Sequence, residues 1–165
     1  MMTLMFTLDG IRQLHRWTHL CLDRAFDHIA TIPVADYTKD VPGFGSPNLR
    51  DQVIHCINCE AFWVHTLRAA PYADEDPSRF PTMAEARAFE SKVTAQTSAY
   101  LASLSEQQLN TPTELRFPGR DAKVRTPALI LHHMLTHAFH HKGQMVAMCR
   151  ILGYPARDTD LDQFE

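Results

Sequence analysis

Apolar residues recur at steps of three and four along four separate stretches of the chain, the spacing that lines one face of a helix. The first stretch runs from about Leu8 to Ile29, with Leu8, Ile11, Leu14, Thr18, Cys21, Ala25 and Ile29 in line. Ile32-Pro33 closes it, because a residue before proline is pushed out of the α region. After the loop YTKDVPGFGSPN, a second helix is expected from about Asn48 to Ala69, with Ser46 as its N-cap and Pro47 in its first turn. Val53, Ile57, Glu60, Val64 and Leu67 form one of its stripes, and His55, Cys59, Phe62 and Thr66 the neighbouring one. The third helix starts at a capping box, Thr82 with Glu85, and runs to about Leu104 behind an inner stripe of Phe89, Val93, Gln96, Tyr100 and Leu104.

The segment from Ser105 to Thr126 does not read as helix. TELRFPGRDAKVRT alternates on both sides of Pro-Gly-Arg-Asp and reads as either a small β-hairpin or an irregular excursion. Thr126-Pro127 repeats the cap-plus-proline start signal, and the fourth helix runs to about Leu152 with Gly153 as its C′ stop. Leu131, Met134, Ala138, Met145, Met148 and Leu152 mark its buried face. The acidic tail YPARDTDLDQFE is expected to pack loosely. Four long helices without sustained strands predict an all-α four-helix bundle in a single domain, residues 1–165, with a long connection before the last helix. The loops after the first and third helices are long enough to cross the bundle.

Composition narrows the partners. A formal net charge of −3 opposes the broad basic footprint of a nucleic-acid-binding domain. No apolar run approaches the ~20 residues of a membrane span. The N-terminal stretch lacks the layout of a signal peptide, so an intracellular, cytoplasmic location is expected. Four cysteines, Cys21, Cys56, Cys59 and Cys149, include one CxxC pair and no second. Free, mostly buried thiols in a reducing compartment are the ordinary reading, ahead of a redox or metal role for the pair or a disulfide.

What composition does not explain is HHMLTHAFHHKGQMVAMCR, residues 132–150, with five of the ten histidines. Histidine is only an average helix former, so propensity does not account for them. His133, His137 and His141 stand four residues apart and line one stripe, since each such step turns only ~40° around a helix. Neutral imidazoles on adjacent turns can grip one divalent ion. Any adjacent pair of the stripe has the spacing, and the buried face favours His137 and His141, leaving His133 to support them. His140 points ~100° away from His141. Gln144, one turn beyond His141, can hydrogen-bond a ligand or a substrate. A third ligand must come from another helix, and His55 is the best candidate. Histidines 15, 19, 28, 65 and 132 read as surface or rim groups, and Trp17, Phe62, Trp63 and the methionines of the last helix as core or pocket lining. HAFHH lacks the glutamate of HExxH, which disfavours a zinc protease. No Ser–His–Asp order, P-loop or GxGxxG is visible.

The chain resembles the DinB superfamily, the DinB/YfiT-like metalloenzymes, over nearly its whole length. LHHMLTHAFHHKGQMVAMCRILGY is similar to the family's last helix, and SPNLRDQVIHCINCEAFWVHTL to its H-x-x-x-x-E-x-x-W helix, with His55, Glu60 and Trp63 in place. LHRWTHLCLDRAF looks like its opening aromatic helix. Lys142 stands where arginine is common. The resemblance implies a bundle with a crossed connection, often a homodimer. It implies zinc or nickel held by His55, His137 and His141, with open positions.

Relatives include transferases that use low-molecular-weight thiols such as bacillithiol, mycothiol or glutathione. Two functions follow. One is an enzyme that activates a thiol, or water in a hydrolytic variant, against a small electrophilic substrate, with His133 or His140 moving protons and Gln144 orienting the substrate. The other is a non-catalytic metal-binding or stress-response protein, for which Cys59 as a closing fourth ligand would speak.

Overall fold

The computed structural model describes residues 6–117 and 119–164. Met1–Met5, Pro118 and Glu165 lie outside the described residues, and with them the start of the N-terminal stretch, the proline of the expected hairpin turn and the end of the tail.

Four long helices carry the fold: α1 (Leu8–Ile29), α3 (Leu49–Leu67), α4 (Met83–Ser103) and α6 (Pro127–Ile151). Two short ones, α2 (Val34–Tyr37) and α5 (Glu106–Asn110), lie in the connections. Strands β1 (Thr113–Phe117) and β2 (Arg120–Arg125) form an antiparallel hairpin ahead of α6, with an irregularity in register between Leu115 and Phe117. The alternation around Pro-Gly is therefore a true hairpin. It is seated by Leu115, which is 1% exposed.

Around the bundle the order is α1, α6, α3, α4. Helices α1 and α3 are diagonal partners, as are α4 and α6, so the connections after the first and third long helices do cross. The packing of α3 on α6 is the most extensive, and it positions the site described below. Phe26, Ile29, Ile54, Leu131, Met145 and Met148 are essentially removed from water, each contributing about 1.5–3 kcal/mol of hydrophobic stabilisation.

The helix ends are set by local chemistry. The capping box of Thr82 and Glu85 starts α4, and Thr126 with Pro127 at N1 starts α6. Gly153, at φ +90°, ends α6 in a Schellman turn: its N–H donates to Arg150 O, and that of Tyr154 to Cys149 O. Helix α3 ends in the same turn with Ala69 at φ +51°, where Ala69 N–H donates to Thr66 O and Ala70 N–H to His65 O.

Several expectations are corrected. Ser46 does not cap α3; Asn48 does, its side chain accepting from Asp51 N at 2.9 Å, so Pro47 precedes the helix. An amide at N-cap caps as well as a hydroxyl, and its reach settles the choice. Helix α5 falls in the segment read as non-helical. Its signal was a second capping box, Ser105 with Gln108. The inner face of α4 is Met83, Ala86, Glu90, Val93, Thr97 and Leu101, one residue round from the expected stripe. Polar Glu90 and Thr97 hid it: Thr97 donates to Glu60 of α3, while Glu90 accepts from Arg87 on α4 itself and faces His19 of α1.

The tail does not pack loosely either. Buried Lys142 donates Nζ to Thr159 O at 2.8 Å and pairs with Asp160 at 3.1 Å, tying the tail to α6. His15 is no rim group: it is 4% exposed on the inner face of α1 and meets Glu60, as does the half-buried His19. No helix among the described residues is long and apolar enough to cross a membrane.

Candidate metal centre

Helix α3 presents His55 and helix α6 presents His137 and His141 at their shared interface. Four-residue spacing stacks the α6 pair on adjacent turns. The ring centroids of His137 and His141 are 4.4 Å apart, and those of His55 lie 5.8 and 4.5 Å from them. One ligand-type nitrogen from each of the three lies within 4.8 Å of the others. The two Nε2 atoms of His137 and His141 are separated by 3.2 Å. Two nitrogens bound at ~2.0–2.1 Å to one tetrahedral ion sit ~3.3 Å apart, so this pair already has the bite of a metal chelate.

Protonation suits that task. Burial and the neighbouring imidazoles lower both His137 and His141, the latter to about 4, so both rings are neutral near pH 7 with a lone pair available. His141 Nδ1–H donates to Gln52 Oε1 at 2.8 Å, which fixes its tautomer and aims Nε2 at His137. Gln52, fully buried one turn before His55, is a partner of the candidate ligands that sequence reasoning missed. The signal was a polar side chain on the side of α3 that carries the buried Leu49 and Cys56. Gln52 Nε2 donates to Gln144 Oε1 at 2.5 Å, and Gln144 Nε2 donates to His140 Nε2 at 2.8 Å. Both ends of the Gln144 amide are thus taken within the protein, and the expected substrate contact has to compete with them.

The other candidates surround this centre. His140 is exposed, its ring 5.0 Å from that of His141, outside the three-histidine group. His133 is exposed, edge-on to Trp63 at 5.3 Å and 5.7 Å from His137. Cys59, one turn along α3, puts Sγ 3.5 Å from His55 Nε2, yet it also lies outside the group. Burial pushes its thiol up to about 11, which keeps it protonated at neutral pH. All four cysteines are free thiols, as expected, with Cys59 the only one not buried.

His55 and His137 are half-buried, so one side of the centre is reachable. An aromatic wall leads away from it. Trp63 meets Phe62 at 5.1 Å and Phe117 of the hairpin at 6.0 Å. Phe62, Thr66, Tyr72 and Phe117 line a cavity of about 520 Å³ at the end of that wall, a volume that accommodates a small organic molecule.

The DinB family profile matches residues 5–165. Protein DinB of Bacillus subtilis (strain 168) is 33% identical over 55 residues, so the match spans about a third of that protein's length, 32%, and 33% of this chain. Three crystal structures share the fold. A conserved protein of Enterococcus faecalis superposes with a TM-score of 0.66 at 16% identity, over 86% of this chain and 95% of its own. A DinB-like protein of Bacillus subtilis gives 0.60 at 18%, over 88% and 99%. A DinB family member of Shewanella denitrificans gives 0.60 at 19%, over 94% and 88%. With a family profile that covers almost the whole sequence and a helical bundle shared with these proteins, the chain belongs to the DinB family.

Proposed function

We propose that His55, His137 and His141 hold one divalent ion, zinc or nickel, and that the protein is an enzyme acting on a small electrophilic substrate. The donor set supports this reading. Three imidazoles, two of them neutral and already at chelating separation, leave an ion's full double charge and room for other ligands. When bound, such an ion supplies Lewis acidity, lowering the pKa of a thiol or water beside it and polarising an electrophile.

The chain's own residues do the rest. Gln52 holds His141 in register through its Nδ1–H. The aromatic wall of Trp63, Phe62 and Phe117 offers an apolar face to the substrate and excludes water on that side. Exposed His140, carrying a hydrogen bond from Gln144, and exposed His133 are placed to pass protons to solvent. A low-molecular-weight thiol is the favoured co-substrate, with the half-exposed Cys59 lying outside the three-histidine group. Hydrolysis is the close variant of the same chemistry.

A non-catalytic metal-binding role is the second reading, and the approach of Cys59 to His55 is the observation that favours it. Elemental analysis of His55→Ala, His137→Ala and His141→Ala tests the ligand set: each is expected to lose stoichiometric metal, and undiminished metal in any one removes that residue. Protein loaded separately with zinc and nickel is then assayed for conjugation of electrophiles to several cellular thiols. Metal-dependent thiol consumption supports the enzyme. Its absence, together with sulfur ligation by Cys59 in X-ray absorption, overturns it in favour of the second reading.

A further inference from the structure

Away from the three-histidine centre, a second set of donors converges between α1, α3 and α4. Glu60 lies five residues from His55, ~140° around α3, and so faces the other side of the helix. His15 and His19, one turn apart on α1, each bring Nε2 to a different oxygen of its carboxylate, at 3.1 and 3.0 Å. One ligand-type atom from each of the three lies within 4.8 Å of the others. Their side chains are 5%, 12% and 11% exposed. Thr97 Oγ1 donates to Glu60 at 2.6 Å and fixes the carboxylate's orientation, the kind of outer support that metal ligands carry.

Two further observations point to an occupant. His19, Cys56, Glu60 and Glu90 border a cavity of about 10 Å³, roughly the space of one water or one bare ion. Glu90 is 6% exposed, and its Oε1 is buried with no hydrogen-bond partner, 3.6 Å from His19 Nδ1. That ion-pair contact is looser than a hydrogen bond, so the buried oxygen is only partly satisfied. The local charge also favours a cation over a neutral water. Glu60 and Glu90 share the cavity, and Asp23 and Asp27 stand beside it, against the guanidinium of Arg87 and the imidazole of His19. Against the lowering effect of burial, Glu60 and Glu90 raise the pKa of His19 to about 10, so that an ion binding there displaces its proton. A groove lined by His19, Asp23, Arg87, Glu90 and Thr94 opens from this cluster to solvent and supplies a path of entry.

We propose that His15, His19 and Glu60 form a second divalent-metal site, with Glu90 facing the small cavity that His19 and Glu60 border. Two imidazoles and a carboxylate suit a first-row transition ion such as iron(II), manganese, nickel or zinc. An ion there joins α1 to α3 beside α4, and so stabilises the folded bundle by binding only the native state. The site stands apart from the three-histidine centre in residues and position.

The test uses full-length protein with His55→Ala/His137→Ala, which dismantles the first centre and leaves no pair of α6 histidines at four-residue spacing. The variant is loaded with cobalt(II), desalted, and read by elemental analysis and visible d–d absorption. About one equivalent is expected to remain, with a thermal midpoint that rises as cobalt is added. Adding His19→Gln, which keeps a donor for Glu60, is expected to remove that equivalent, with helicity checked by circular dichroism. His15→Gln serves as the second variant should His19→Gln not fold. Cobalt absent from the double variant overturns the proposal, as does cobalt that persists through both glutamine substitutions. Failure of the three-histidine reading looks different: the double variant then holds as much cobalt as the unmodified protein.

Discussion

Gln52→Leu isolates the contribution of one outer hydrogen bond to the three-histidine centre. The side chain is fully buried and touches no solvent, and its Oε1 accepts from His141 Nδ1 at 2.8 Å. Leucine keeps nearly the same volume, so the packing cost stays small, ~1.5 kcal/mol or less. What is lost is specific. The His141 N–H is left without a partner at a buried position, a penalty of about 1–3 kcal/mol, and the ring is freed to rotate or to adopt the other tautomer. The same range emerges from metal sites generally, where loss of such a partner weakens binding about 10- to 100-fold, or roughly 1.4–2.7 kcal/mol. Competition titration with a chromophoric chelator at fixed pH reads the affinity. Melting of the metal-free protein separately reads the cost to the fold. Gln144→Met is the control: it removes the acceptor for Gln52 Nε2 and leaves the bond from His141 Nδ1 to Gln52 in place, and a change of only a few-fold is expected. Affinity unchanged in a folded Gln52→Leu protein would refute the claim that this bond orients the ligand.

Three further outcomes follow from the packing. Ala69→Gly relieves a left-handed alanine at φ +51°; the ~1–2 kcal/mol steric penalty, less the ~0.5–1 kcal/mol entropy cost of glycine, predicts a gain of up to about 1.5 kcal/mol, and a lower thermal midpoint would contradict it. Leu115→Ala removes the hairpin's 1%-exposed anchor and is expected to cost about 2–5 kcal/mol in urea unfolding, with earlier amide exchange in β1 and β2; a loss below ~1 kcal/mol would show that the hairpin is not seated by it. Lys142→Met removes both bonds to the tail, so limited trypsin digestion should cut faster after Arg157, while cleavage at the unmodified rate would show that the tail is held by other contacts.

The parts of this structure legible in the sequence are those where one local rule decides. Thr82 with Glu85, Thr126 with Pro127 and Gly153 mark helix ends because their side chains or backbone freedom satisfy orphan groups within a few residues. The histidine stripe of α6 is legible for the same reason, since four-residue spacing on a helix is a geometric statement. What stayed hidden depends on partners distant in the chain. Glu90 and Thr97 lie off the stripe that the sequence marks on α4, and only the arrival of His19 and Glu60 makes them interior. Gln52 has no meaning until α6 sets His141 against it. Likewise Lys142 reads as a variation on arginine, and its role appears only once the tail folds back over α6. The choice of Asn48 over Ser46 was a local matter, settled by which side chain reaches the Asp51 amide.

Two of the three imidazoles at the α3–α6 interface ride on one continuous helix, and this makes the centre unequally sensitive to insertions and deletions. Lengthening the turn between β1 and β2 leaves the spacing of residues 137 and 141 untouched. A single residue slipped into α6 between them swings one ring by ~100° and dismantles the chelate at a stroke.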